Sequence, residues 1–284
     1  FLNSAVWAQC DSIYTSFCVM SFYFLLRGRG RLSMALYGVA FSFKLQAVFF
    51  APAAVVFFLK GRLKFSDLLF FVLAYFLCAL PAVIAGMSLV DALFGAYLIQ
   101  TNEYDRITLN APNLYQFLSD SYNVSPELGN MLIFFAFGVC AIFCTYFYRA
   151  DYRLDDKGML LIAYLFSVLL PFVLPHMHER YFYMADIFAG IFTFVYPKKA
   201  YISAATAYCS LRAVVMFLFD GSGTKGSLTQ VAVLMGAAIA ALCIFVVGEL
   251  KKKKAREGAG APETVSAPLY VQRTAEEVSD GKES

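Results

Sequence analysis

Apolar blocks of roughly 17–22 residues, separated by short clusters of Lys and Arg, recur along the whole chain, and a helix needs about that many residues to cross some 30 Å of hydrocarbon. The blocks at 12–26, 66–87, 128–148, 158–175, 181–196, 201–219 and 229–249 predict seven spans. Composition closes off the alternative of a water-soluble fold. Soluble domains carry about a quarter charged residues, whereas this chain has 15% charged and 60% hydrophobic residues, with a mean hydropathy of +0.65. The expectation is an all-α, multi-pass bundle integral to a membrane, with membrane lipids as its solvent. A formal net charge of +3 would matter for nucleic acid only if it formed a patch. Here the basic residues mark topology, and no nucleic-acid partner is expected.

The charge distribution orients the chain. Arg27, Arg29 and Arg31 follow the first span, and further basic clusters lie at 60–64 (KGRLK), 149–157 (RADYRLDDK), 198–199 (KK) and 251–256 (KKKKAR). The alternate loops, 88–127 and 220–228, hold only Arg106 and Lys225. By the positive-inside rule the clusters are cytoplasmic. This parity holds only if residues 33–59 enter and leave on the same side, so they are expected to form a hairpin of two short helices with its apex at Phe43, Lys44, Leu45 and Gln46. Each arm is roughly 16–21 Å long, too short to cross alone, and needs shielding by neighbouring helices.

Residues 1–250 then read as the membrane domain and 251–284 as a disordered cytoplasmic tail, rich in Glu, Gly, Ala, Ser and Pro. The long outer loop, 88–127, opens with an amphipathic stretch (LVDALFGAYLIQ) suited to the interface. Seven cysteines without a CxxC pair point to packing. The chain starts at Phe1 without a basic, apolar leader, and reads as a sequence whose beginning lies further upstream.

Polar residues gather on the face opposite the basic loops. Trp7, Gln9 and Asp11 precede the first span; Asp11 either caps that helix or does acid–base chemistry. Lys44 and Gln46 sit at the hairpin apex. A lysine flanked by FSF and LQAVFF is costly unless it snorkels or meets an anion, so it is either an interfacial anchor or an ammonium placed for a lipid phosphate. Tyr104, Asn110, Asn113 and Tyr115 form an aromatic and amide-rich loop surface of the kind that binds sugars, although composition fits a plain solvated loop equally well. PHMHERYFY (175–183) concentrates His176, His178, Glu179, Arg180 and Tyr181 in one turn. Its His-x-His-Glu spacing is a weak metal signal, and the turn reads either as an interfacial anchor or as an anion site built on the planar fork of Arg180. No metal and no cofactor is expected. Asp186, inside a span, calls for a partner such as Arg180 or Arg212.

Taken together, WAQCDSIYT, AFSFKLQAVFFAP, LNAPNLYQFL and HMHERYFYMAD, spread over residues 1–200, resemble the bacterial GT-C-type membrane glycosyltransferases, in particular the mannosyltransferase group related to the second mannosyltransferase of GPI-anchor synthesis. The resemblance implies a GT-C-like helical enzyme of the bacterial cytoplasmic membrane. Such an enzyme transfers a sugar, a hexose such as mannose, from a polyprenyl-phosphate donor to a glycan or lipid acceptor at the outer face, with inversion. In such enzymes the principal base lies in the first outer loop, expected here upstream of Phe1. The resemblance then leaves Asp11 as a second acidic group, gives Lys44, His178 and Arg180 to the donor phosphate, and leaves Trp7, Gln9, Gln46, Tyr104, Asn110, Asn113, His176, Glu179 and Tyr181 to substrate. The rival readings are a transporter or flippase of a lipid-linked sugar, which would bind without chemistry, and a membrane scaffold.

Overall fold

A computed structural model describes residues 2–95, 106–118, 124–220 and 225–258. The described chain is almost wholly helical, with nine α-helices among the described residues. These are α1 (Asp11–Leu26), α2 (Gly30–Phe43), α3 (Ala51–Leu59), α4 (Phe65–Ile84), α5 (Pro126–Arg149), α6 (Asp156–Val173), α7 (Tyr183–Val195), α8 (Ala200–Val215) and α9 (Lys225–Gly258). Among the described residues, five helical segments are long and apolar enough to cross a membrane: Phe65–Ile84, Pro126–Arg149, Asp156–Val173, Pro197–Phe219 and Leu228–Ala255. Two of the seven predicted spans fall short of that length. Helix α1 has 16 residues and α7 has 13, and at 1.5 Å per residue these reach only about 24 and 20 Å.

Local sequence sets the helix starts. Ser125 accepts a hydrogen bond from Leu128 N at 3.3 Å with Pro126 in the first turn, and Asp155 accepts one from Gly158 N at 2.9 Å. Both are side-chain caps of orphan backbone N–H groups. Asp67 reaches back to Lys64 N at 2.9 Å and closes the first turn of α4.

Helix α6 is apolar all round and forms the centre of the bundle, with Met159, Leu160, Ile162, Ala163, Tyr164 and Phe166 fully buried. A helix apolar on every face must be enclosed, and α3, α5, α7 and α9 pack around it. An aromatic cluster of Phe22, Phe50, Phe57 and Phe188 locks α1, the α2–α3 connection and α7 together, with Phe50 and Phe188 stacked at 6.1 Å. The seven cysteines are all free. At the α2–α4 crossing, a Cβ on Gly38 would meet Phe71 O at 2.4 Å, so only glycine allows the two backbones to approach this closely.

The hairpin forms where the parity argument puts it. Helix α2 ends at Phe43, Lys44 is extended (φ −160°, ψ 135°), and a 3-10 turn over Leu45–Phe50 leads into α3. Tyr37 donates its hydroxyl to Ala47 O at 3.1 Å, pinning the apex to α2. Entry and exit lie at one end of the bundle. There Gly30 abuts Asp67, Lys60 donates to Ala150 O, and Arg62 pairs with Asp156 at 2.9 Å. Lys253 meets Asp155 at 3.2 Å, and Lys199 lies 5.6 Å from the Phe245 ring at the same end. Every basic cluster of the sequence therefore shares that end, and Lys44 lies at the other.

Helix α9 continues through Lys251–Gly258, into the segment assigned to the tail, because Lys, Ala, Arg and Glu are good helix formers. Residues 259–284, Tyr104 and the end of the amphipathic stretch at 96–100 lie outside the described residues. An apolar cavity of about 360 Å³ lies between α2, α3 and α4, lined by Tyr37, Phe41, Ala51, Phe58 and Phe71 among others.

Candidate active site at the pole opposite the basic loops

The pole opposite the basic clusters is built from three segments: the chain before α1, the hairpin apex, and the turn between α6 and α7. A two-residue parallel pairing joins the last of these to the long loop, with β1 (Thr108–Leu109) set against β2 (Met177–His178) and Thr108 opposite Met177. His176 N donates to Ile107 O at 2.8 Å, and its Nδ1 lies 2.7 Å from Arg106 O. Tyr115 donates its hydroxyl to Val173 O at 2.8 Å, and burial pushes that phenol up to about 12. Asn113 is fully buried; its Oδ1 accepts from Tyr115 N at 3.2 Å and its Nδ2 donates to Leu174 O at 3.4 Å. Thr229 donates to Gln116 O at 3.2 Å, so α9 also grips this part of the long loop, residues 106–118, which forms a strap over the pole.

His176 and Asn113 thus hold the strap in place, with their polar atoms turned to backbone partners. Asn110 is exposed with φ 60°, the left-handed conformation that asparagine tolerates, and faces His178 across an isolated bridge.

The strap presents the other turn residues to the hairpin apex. Lys44 Nζ donates to Asp11 Oδ1, and Asn3 Nδ2 donates to Asp11 Oδ2 at 2.9 Å. The Asp11 side chain is wholly inaccessible whereas that of Lys44 is 12% exposed, so the ammonium covers the carboxylate. The Lys44 ammonium lies 5.6 Å from the Tyr181 ring centroid and 6.0 Å from that of Tyr14, which is fully buried beside it. Such ring faces stabilise a desolvated cation.

Next to this pair, Arg180 lies 5.3 Å from the Trp7 ring and 5.8 Å from the Tyr181 ring. Its Nη1 is 3.6 Å from Glu179 Oε1, and His178 Nδ1 is 3.8 Å from Glu179 Oε2. Glu179 is fully buried and neither carboxylate oxygen has a hydrogen-bond partner. Gln46 is likewise buried, with Oε1 unpaired. Unsatisfied buried acceptors are rare and call for an explanation. Two cations therefore face two carboxylates in one cluster, with acceptors to spare.

Of the sequence-predicted site residues, Trp7, Asp11, Lys44, His178, Glu179, Arg180 and Tyr181 come together, with Gln46 two positions from Lys44. Gln9 joins the pre-helix segment through its backbone, donating to Asn3 O at 3.1 Å. Asn3 and Tyr14 were not singled out. Tyr14 stands one turn after Asp11 on the same helix, a spacing that could have flagged it; nothing in the sequence marks Asn3. Asp186 accepts a hydrogen bond from Ser210 at 2.7 Å, a hydroxyl where an arginine was expected. Among the described residues, no group of three or more His, Cys, Asp or Glu could hold a metal ion.

Searches of curated proteins and of solved structures find no match. The family model of the ALG3 protein matches residues 9–162, more than half of the chain, taking in Asp11 and Lys44 and ending before the 176–181 turn. The chain belongs to the ALG3 protein family, a membrane glycosyltransferase family of mannosyltransferase type.

Proposed function

We propose that the protein transfers a hexose, mannose in the first instance, from a polyprenyl-phosphate donor to a glycan or lipid hydroxyl at the pole opposite its basic loops. The observation that carries this reading is the cluster of Lys44 and Arg180 among aromatic rings, beside the buried Glu179 carboxylate, which faces Arg180 and His178 without a hydrogen bond, and the buried Gln46 oxygen. Cations suit the phosphate that leaves, and acceptors suit sugar hydroxyls that must donate.

In the step proposed, the acceptor oxygen forms a bond to the sugar's anomeric carbon as the bond from that carbon to the phosphate oxygen breaks. The electron pair departs with the phosphate, where Lys44 and Arg180 oppose the growing charge. Asp11 takes the acceptor's proton, and attack from the face opposite the phosphate inverts the anomeric centre. His178 lies beside Glu179 and Tyr181, within reach of the same phosphate. The cavity between α2, α3 and α4 reaches Phe41, one turn from Lys44, and offers apolar space of the kind a lipid-linked substrate requires. The positive-inside bias would put the site at the outer face of a cytoplasmic membrane, and the motif resemblance to GPI-type and bacterial mannosyltransferases supports mannose as the sugar.

The test incubates membranes containing the protein with polyprenyl-phosphate mannose labelled in the sugar. Label moving to a new glycan or lipid supports the reading. Label that crosses the membrane still attached to its lipid supports the transporter instead.

A further inference from the structure

The ion pair of Asp11 with Lys44 sets two assigned roles against each other. Lys44 cannot grip a phosphate fully while its ammonium is bound to Asp11, and Asp11 cannot take a proton from an acceptor hydroxyl while the ammonium covers it. The exposures order the two events, because Asp11 is wholly inaccessible and Lys44 is 12% exposed. A group reaching Asp11 Oδ1 must take the place that Lys44 Nζ holds.

We infer that Asp11 occupies the phosphate's place on Lys44 in the empty site, and that the phosphate of an arriving lipid donor displaces it, releasing Asp11 to accept the acceptor's proton. This deepens the reading above and rests on it. The chemistry favours the exchange in three ways. The donor's phosphodiester, a monoanion, offers an ammonium two free oxygens, whereas Asp11 spends its second oxygen on Asn3 Nδ2 at 2.9 Å; the monophosphate that leaves carries still more charge. The rings of Tyr14 and Tyr181, at 6.0 and 5.6 Å, keep the ammonium stabilised as it swings between anions. The cluster also holds as many carboxylates as lysines and arginines, Asp11 and Glu179 against Lys44 and Arg180. An added phosphate therefore leaves an excess of buried negative charge, which uptake of a proton by a freed carboxylate relieves.

In the completed step the donor's C1–O bond breaks with its electrons going to the phosphate on Lys44. The acceptor's O–H proton passes to Asp11 Oδ1 as the new C1–O bond forms. When the phosphate leaves, Asp11 returns its proton to solvent and closes again on Lys44. The exchange imposes an order, with donor before activated acceptor, and protects the carboxylate from water between turnovers.

The experiment measures binding of a sugar-free polyprenyl monophosphate to the full chain in lipid nanodiscs, alongside transfer from the sugar-bearing donor. Asp11→Asn removes the competing anion while keeping the shape that Asn3 packs against, and is expected to bind the probe tenfold more tightly, about 1.4 kcal/mol, while losing transfer. Should that variant fail to fold by thermal unfolding, Asp11→Ser removes the same charge and carries the same expectation. Lys44→Met is expected to lose probe binding. If Lys44→Met loses binding while Asp11→Asn binds no more tightly than the unaltered protein, the exchange is overturned and the phosphate role of Lys44 stands. If Lys44→Met binds the probe unchanged, the phosphate role and the exchange both fall.

Discussion

Replacing Lys44 by Met removes the cation from a carboxylate that the structure buries completely. Asp11 then keeps one hydrogen bond, from Asn3, and no charge partner. Removing one member of a buried pair costs about 3–5 kcal/mol, whereas replacing both by apolar or neutral groups of similar shape is close to neutral. Lys44→Met alone should therefore destabilise by roughly 3 kcal/mol, and the double variant Lys44→Met/Asp11→Asn should recover most of it. For a chain of this size that amounts to a fall of roughly ten degrees in unfolding temperature, largely reversed in the double variant. The assay is thermal unfolding of detergent-solubilised protein for the unaltered chain, both single variants and the double, read as a double-mutant cycle. Strictly additive effects would refute the pairing of Lys44 with Asp11, and so would a single variant as stable as the parent.

Gly38→Ala should separate α2 from α4, because its methyl would sit 2.4 Å from Phe71 O where contacts below about 3.0 Å do not occur; overpacking of this kind costs about 1–3 kcal/mol, visible as a lower unfolding temperature with little change in substrate affinity. Glu179→Gln keeps the shape but removes the charge facing Arg180 and His178, and should lower kcat/KM about tenfold to a hundredfold, as loss of a charged hydrogen-bond partner does, measured as initial transfer rates. The Tyr115 phenol has its pKa raised from 10.0 to about 12 in the folded state. Its contribution to the strap is therefore intact below pH 10 and lost as pH rises through about 12, so alkaline unfolding should follow phenolate absorbance, and Tyr115→Phe should remove that component. His176→Ala should release the loop from Arg106 O and increase proteolysis within 106–118 at the unaltered protein's unfolding temperature or below.

Much of the architecture was legible because lipid imposes strict terms on a sequence. A helix must be long and apolar to cross, and basic loops must keep to one side. Those two conditions turned 33–59 into a hairpin, and the break falls at Lys44 as the parity requires. The short helices α1 and α7 were legible to within two residues, because Arg27 and Gly28 stop the first and Pro197, Lys198 and Lys199 follow the second; their shortness is that of the apolar blocks themselves. Helix α9 runs beyond its apolar stretch because KKKKAR is helix-compatible as well as basic.

The members of the candidate cluster were legible one by one and not as pairs. Asp11 and Lys44 were each singled out, yet nothing in sequence couples positions 33 residues apart. The same holds for His176 and Asn113, whose partners are the backbone carbonyls of Arg106 and Leu174. A histidine or asparagine bound to distant backbone looks, in sequence, like one waiting for a ligand.

The central claim is that a lipid phosphate binds at the Lys44 pole. It is tested most directly by photocrosslinking the protein in membranes with a polyprenyl phosphate carrying its reactive group next to the phosphate, followed by peptide mapping. The account predicts label on peptides containing Trp7–Asp11, Lys44 or His176–Tyr181; label confined to 60–64, 150–157 or 198–199 would contradict it.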